Sequence, residues 1–284
     1  MSALAVAATG PSVLVQDAGR PGLAGMGVGR SGAADRRSFR LVNRILANDE
    51  DAAVLEVALG GLELVVRGTV TIAVTGADLD VLVDGAGVGT NAPVTVRDGQ
   101  RVSLGWATSG LRAYLGVRGG IAVEPVLGSR STDTLAGIGP DPVREGSVLP
   151  VGPSPWGLPP LDVAPVAPPA AGEVVLRAVR GPRDDWLADA DRLVTTTWTA
   201  SERSDRVGMR LTGEALAPRD PDAQLPSEGA VRGAIQVPPG GEPVIFLADH
   251  PLTGGYPVAA VLLDDDVDRA AQVRPGQSVR IAWA

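Results

Sequence analysis

The 284-residue chain carries a formal net charge of −8, which argues against nucleic acid as a partner because phosphates demand a basic face. It has no cysteine and a single histidine, His250, so disulfides, thiol catalysis and a histidine-based metal cluster are excluded and no metal site is expected. None of its 25 basic residues is lysine, so this chain can build no Walker-A phosphate clamp, no Schiff base and no biotinyl-lysine.

The 37 glycines and 24 prolines favour many short strands joined by tight turns over a helical bundle. Residues 1–8 are apolar without a basic flank and residues 12–16 alternate, which predicts a first strand rather than a signal peptide. Phe39, Val42, Ile45 and Leu46 share one helical face while Arg36, Arg37, Arg40 and Arg44 lie mostly off it, predicting a helix that stops near Asn48-Asp49. Strand-like runs follow at 62–66, 70–75, 79–83, 94–97, 101–104 and 113–117, with Asp84-Gly85 and Asp98-Gly99 as hairpin turns.

The proline- and alanine-rich stretch 151–172 reads as a connector, because proline removes backbone donors and stiffens the chain. It divides the sequence into domains at 1–150 and 173–284. Beyond it, strands are expected at 174–179, 194–199, 234–237, 244–248, 258–263 and 278–282, with a short helix over 265–272 ended by Pro275-Gly276. The pattern predicts a mainly β protein made of two closed or nearly closed β-barrels with a few short helices. No run approaches the ~18 apolar residues needed to cross a membrane, and a soluble, cytoplasmic protein is expected.

Several loops carry more charge and hydroxyl than turns require. Gln16, Asp17 and Arg20 sit among glycines, and Ser129, Arg130, Ser131 and Thr132 place hydroxyl donors beside a cation, which suits an anion. Asp35 and Arg36 repeat the acid–arginine pairing. In the second half, Arg203, Arg206 and Arg210 surround Ser204, Asp205 and Gly208. Arginine forks there either grip a carboxylate or phosphate, or pair internally with Asp205 to brace a turn. Glu56 lies in an apolar stretch and Glu228 precedes a glycine; each is either a general base or a loop cap. Thr253, Gly254, Gly255 and Tyr256 let backbone approach a ligand closely or form a strand-entry turn. His250 reads as a surface-loop histidine.

In this order, Val15-Gln16-Asp17-x-Gly19-Arg20-Pro21-Gly22, Ser31-Gly32-Ala33-x-Asp35-Arg36, Leu55-Glu56, Thr75-Gly76-Ala77-Asp78, Gly128-Ser129-Arg130-Ser131-Thr132, Ser204-Asp205-Arg206-x-Gly208, Ser227-Glu228-Gly229, Gly233-Ala234-Ile235-Gln236-Val237-Pro238 and Thr253-Gly254-Gly255-Tyr256-Pro257 resemble the biotin-dependent carboxyltransferase family. That family includes the 5-oxoprolinase C subunit, KipA-like antikinase partners, the allophanate hydrolase subunit 2 type and half of the urea carboxylase carboxyltransferase domain. Val207, Met209 and Leu252 depart from its usual residues.

The resemblance implies two cyclophilin-like β-barrel domains and a partner chain, the 5-oxoprolinase B subunit or KipI-like protein, with the lactam-utilisation (A-type) chain as a further partner. It implies ATP-dependent opening of 5-oxo-L-proline to L-glutamate by a hetero-oligomer, this chain alone being inactive, with ATP bound elsewhere in the complex. The alternatives are a urea or allophanate-type carboxyltransferase with biotin on another chain, and a non-enzymatic regulator that binds a KipI-like antikinase. Asp17, Glu56 and Glu228 are then the candidate catalytic carboxylates. Gln16, Arg20, Asp35, Arg36, Ser129, Arg130, Ser131, Thr132, Ser204, Asp205, Arg206, Arg210, Gln236, Thr253, Gly254, Gly255 and Tyr256 are the candidate contacts to a small-molecule substrate.

Overall fold

A computed structural model describes residues 2–157, 159 and 161–284. Met1 and, within the proline-rich stretch, Leu158 and Pro160 lie outside the described residues. The chain divides into two compact units. The first comprises Met1–Arg20, Asp35–Thr132 and Gly137–Ala171, and the second Pro21–Ala34, Asp133–Ala136 and Gly172–Ala284. The proline-rich stretch therefore clusters with the first unit, and two short excursions from the N-terminal half cluster with the second.

The first unit is built from β1 (Ala3–Ala8), β2 (Ser12–Gln16), α1 (Arg36–Ile45), β3 (Val54–Ala58), β4 (Glu63–Arg67), β5 (Val70–Asp78), β6 (Val81–Val83), β7 (Ala86–Gly87), β8 (Val94–Val96), β9 (Arg101–Leu104), β10 (Ser109–Val117) and β11 (Val148–Pro150). They form a six-stranded sheet, β11-β1-β4-β9-β6-β7, and a five-stranded sheet, β2-β3-β10-β5-β8. Apolar alternation explains the layering: Leu4, Leu64 and Val66 of one sheet and Val13, Val15, Leu55, Val57 and Leu115 of the other share a single buried core.

Turn chemistry matches the sequence at β6–β7, where Asp84 and Gly85 both hold positive φ (49° and 81°), the geometry a two-residue hairpin needs. The Asp84 carboxylate accepts from Arg101 N at 2.8 Å and Gln100 Nε2 at 2.9 Å. α1 starts where Asp35 caps it, accepting from Ser38 N at 2.9 Å. The proline-rich stretch is held by backbone groups, with Ala164 N bonded to Asn91 O and the Arg118 guanidinium donating to Pro155 O and Gly157 O.

The second unit holds β12 (Val174–Arg180), α2 (Arg192–Thr195), β13 (Thr197–Ala200), β14 (Gly208–Thr212), β15 (Glu228–Gly229), β16 (Ala234–Gln236), β17 (Val244–Phe246), β18 (Thr253–Gly254), β19 (Val258–Leu262), α3 (Asp264–Ala270) and β20 (Ser278–Trp283). Seven strands close a barrel in the order β12-β19-β16-β17-β14-β13-β20, and β15 pairs with β18 as a separate ribbon. Leu176, Trp198, Leu211, Ile235, Ile245 and Ile281 fill it. Residues 194 and 195 belong to a helical turn rather than to the expected strand, because Trp198 turns inward and its Nε1 donates to Leu193 O at 2.9 Å.

Candidate functional site

Strand alternation creates the polar side of the first unit. Leu14 lies opposite Glu56, Glu56 opposite Tyr114, and Tyr114 opposite Thr75. Gln16 is two residues on from Leu14, so Gln16, Glu56, Tyr114 and Thr75 share one face while Val13, Val15, Leu55 and Leu115 turn to the core. α1 covers that polar face. Thr75 Oγ1 donates to Ser38 O at 2.7 Å, and the Tyr114 hydroxyl accepts from Asp35 N at 2.8 Å while donating to Glu56 Oε2 at 2.9 Å.

Arg112 Nε stands 3.5 Å from the other Glu56 oxygen. Burial, then the Glu56 and Asp35 charges, push the Tyr114 phenol well above its usual range, so it works as a neutral hydroxyl. Arg36, the first residue of α1, is half-buried. Tyr114→Phe removes the bonds that its hydroxyl makes to the Asp35 amide and to Glu56 Oε2, and is expected to destabilise by about 1–3 kcal/mol, measured as a lower midpoint in urea with unchanged m.

A second cluster forms where β2 ends. The Asp17 carboxylate accepts from Gly19 N at 2.8 Å, Ser129 Oγ at 2.6 Å, Ser131 Oγ at 2.5 Å and Arg130 N at 2.5 Å. It thereby fastens the 129–131 turn to the 17–19 turn. Arg130 Nε donates to Val123 O at 2.6 Å, and Thr132 Oγ1 to Pro140 O at 2.9 Å. Gln16 Nε2 donates to Thr132 O at 2.8 Å and Arg20 Nη2 to Ser131 O at 2.5 Å. Gln16, Asp17, Arg20, Ser129, Arg130, Ser131 and Thr132 therefore meet in one place.

In the second unit Arg206 does not pair with Asp205. Asp205 Oδ1 accepts from Val207 N and Gly208 N at 2.8 and 3.0 Å, closing its own turn, and Ser204 Oγ accepts from Arg210 N at 3.1 Å. The Arg206 guanidinium turns inward to Asp249, with Nε 2.9 Å from Oδ2 and Nη2 3.0 Å from Oδ1, while Nη2 also reaches Gly32 O. Asp249 further accepts from Ser31 Oγ at 2.7 Å, Thr134 N at 2.9 Å and Thr134 Oγ1 at 2.7 Å. Burial pushes its carboxyl upward, but Arg206 and the two hydroxyls outweigh that and hold it below the usual carboxylate range. His250 stacks on Phe246 with ring centroids 5.9 Å apart.

The remaining candidates gather around the β15–β18 ribbon. Glu228 lies opposite Gly254, and its carboxylate is gripped by both Nε and Nη2 of Arg183, which keeps it below its usual range. Gln236 Nε2 donates to Tyr256 O at 3.1 Å. A cavity of about 350 Å³ opens beside the ribbon, walled by Trp186, Leu216, Pro218, Leu225, Val237, Pro238, Gly255, Tyr256 and Pro257. Aromatic and proline walls, with Asp220 and Gln224 also in the lining, make a mixed pocket of ligand size. Among the described residues no group of three acidic or imidazole side chains is placed to hold a metal ion.

Sequence reasoning did not single out Tyr114, Asp249, Thr134 or Arg183 as site residues, and quoted Ser31 only within the Ser31-Gly32-Ala33 motif. Asp249 was masked by its neighbour His250, and its true partner lies 43 positions away. Tyr114 read as one more apolar strand residue. Only alternation carried to the facing strands would have exposed it.

The description "Carboxyltransferase domain, subdomain A and B" matches residues 26–283. The chain is 34% identical to the C subunit of 5-oxoprolinase from Escherichia coli K12 over 281 residues, covering 97% of this chain and 89% of that protein. Among solved structures, TTHA0988 superposes with a TM-score of 0.89 at 32% identity, covering 99% of this chain, which spans 55% of that longer chain. The urea amidolyase of Kluyveromyces lactis superposes with a TM-score of 0.91 at 30% identity, covering 98% of this chain and 18% of the amidolyase. With a match that spans most of its length and relatives that share its strands throughout, the chain belongs to the carboxyltransferase domain, subdomain A and B, family.

Proposed function

We propose that this chain is the C subunit of a bacterial 5-oxoprolinase, acting with a B-type or KipI-like chain and a lactam-utilisation (A-type) chain. The reaction is the ATP-coupled hydrolysis of 5-oxo-L-proline to L-glutamate. One water opens the lactam C–N bond, its hydroxyl ending on the carbonyl carbon and its proton on the nitrogen, and a second water is consumed as ATP becomes ADP and phosphate. The observation that supports this reading most is the 34% identity carried over 89% of the Escherichia coli protein, since the amidolyase likeness reaches only 18% of a far longer chain.

The residues present do not fit a P-loop nucleotide site: there is no lysine, and no acidic cluster for a metal exists among the described residues. The proposal assigns ATP to another chain of the complex. Among the candidate arginines, Arg206 is bound on two nitrogens by Asp249, while Arg130 and Arg20 are each held at one nitrogen, by Val123 O and Ser131 O. Arg20, buried with Nε and Nη1 unpartnered among the described residues, is the anion holder in this reading.

Reconstitution with its two partner chains tests the reading. ADP release that depends on 5-oxo-L-proline, with glutamate formed in equal amount, is the expected result, and each chain alone is silent. Substrate-independent or absent ADP release would remove it. The likeness to the urea amidolyase keeps a second reading in place, carboxyl transfer with biotin on a separate chain. Avidin capture of a biotinylated partner, with urea or a small amide as acceptor, would select that one.

A further inference from the structure

Arg20 is 2% exposed and Gln16 fully buried. Arg20 Nη2 donates to Ser131 O, but among the described residues its Nε and Nη1 have no partner, and neither does Gln16 Oε1. A guanidinium has five N–H donors, so three of them (one on Nε, two on Nη1) are unmade in the interior beside one unmade amide oxygen. Leaving a charged group buried and unpaired is strongly unfavourable. The nearest acid in sequence does not relieve it, because the four bonds that the Asp17 carboxylate accepts come from the turns at Gly19 and 129–131.

Gln16 donates to Thr132 O and Arg20 to Ser131 O, the carbonyls of successive residues, so both side chains are anchored on one short segment. The chain opposite is pressed close. Gly139 has φ 101°, and a Cβ there would lie 2.1 Å from Ser131 O and 3.3 Å from Arg20 Nη2. Only glycine permits that approach.

From these observations we propose that Arg20 and Gln16 form a subsite for a small oxyanion that also carries an N–H or O–H donor, the oxyanion meeting Arg20 and the donor meeting Gln16 Oε1. The pairing deepens the proposed function and rests on it for one ligand: a cyclic amide acid carries a carboxylate next to its ring N–H. Free hydrogen carbonate and hydrogen phosphate carry the same two features. Charge-assisted bonds from the guanidinium supply affinity, and the single acceptor rejects anions that have no donor, because its oxygen would then stay unpaired. Entry of the ligand requires the segment at Gly139 to yield.

Calorimetric titration and thermal shift on the full chain, and on its complex with the partner chains, test this. Probes are 5-oxo-L-proline, cyclopentanecarboxylate (no N–H), 2-pyrrolidinone (no carboxylate), hydrogen carbonate and inorganic phosphate. The expected result is binding of 5-oxo-L-proline, about tenfold or more weaker binding of cyclopentanecarboxylate, and none of 2-pyrrolidinone. Arg20→Met abolishes the heat. Gln16→Glu, nearly isosteric, brings a negative charge into the subsite and sets an oxygen against Thr132 O, so it abolishes anion binding with a modest fall in Tm, and an unchanged far-ultraviolet circular dichroism spectrum separates that loss from misfolding.

Should hydrogen carbonate or phosphate bind and 5-oxo-L-proline not, with both substitutions abolishing it, the subsite stands and the lactam reading falls. Should no probe bind, or should binding survive both substitutions, the orphaned atoms serve an internal water and the subsite is overturned.

Discussion

Replacing Asp249 by alanine is expected to destabilise the second unit by about 3–5 kcal/mol, the cost of leaving a buried charge without its partner. Arg206 and Asp249 are both buried, and the carboxylate joins Arg206 to Ser31 and Thr134 as well. Its loss therefore removes the bonds that Ser31, Thr134 and the Arg206 guanidinium each make to it. At roughly 2–4 °C per kcal/mol for a protein of this size, the melting temperature should fall by roughly 10 °C.

Asp249→Asn keeps the shape and should fall between alanine and wild type. The acid limb of the stability curve carries the same signature. The folded carboxyl lies below its ordinary value, while the unfolded one protonates near pH ~4. Below that pH the unfolded state binds more protons, so the stabilisation is complete above pH ~4 and is lost as pH falls through the lower folded value. Urea midpoints measured between pH 6 and pH 3 should drop more steeply for wild type than for Asp249→Asn. Parallel curves would show that the pair contributes nothing to folding.

The same pair shows why part of the molecule could not be read from its sequence. Strand-forming runs announce themselves locally: the alternation at 101–104 gave β9 its full extent, and the spacing of Phe39, Val42 and Ile45 placed α1. An internal pair of Asp205 with a neighbouring arginine was one of the two readings open for that turn. In the structure Asp205 closes its turn through backbone amides, and Arg206 reaches a carboxylate far along the chain. Adjacency says little about which way two side chains of a turn point.

The strand at 208–212 was hidden for a related reason, since it opens on Gly208, a poor strand former, and is held by its pairing with β13 and β17. The assignment of residues 21–34 and 133–136 to the second unit has no compositional mark at all. It follows from long-range bonds such as Ser31 and Thr134 to Asp249. The clustering of Gln16, Asp17 and Arg20 with Ser129 to Thr132, by contrast, was legible as chemistry, two anion-suited loops, although the bonds joining them were not.

Asp17 offers the sharpest separation between scaffold and chemistry. As a general base, its replacement by asparagine would lower kcat by about 10²–10⁴-fold and leave the fold intact. Its geometry points elsewhere, because the four bonds its carboxylate accepts come from donors in the two turns it joins. Asparagine retains one acceptor oxygen but aims an amide N–H₂ at the backbone N–H of either Arg130 or Gly19, and donor against donor cannot bond. We expect Asp17→Asn to cost about 1–3 kcal/mol of stability, and Asp17→Ala more.

Because the 129–131 turn supplies the Ser131 carbonyl that holds Arg20, KM for the anionic substrate should rise in step with the fall in Tm. Ser129→Ala, which removes one of the same four bonds and the bond from Ser131 N to Ser129 Oγ without touching any carboxylate, should show the same coupled change in Tm and KM. A kcat loss of two orders or more in Asp17→Asn with Tm and KM unchanged, and an unaffected Ser129→Ala, would return Asp17 to the chemistry and leave the turn as its support.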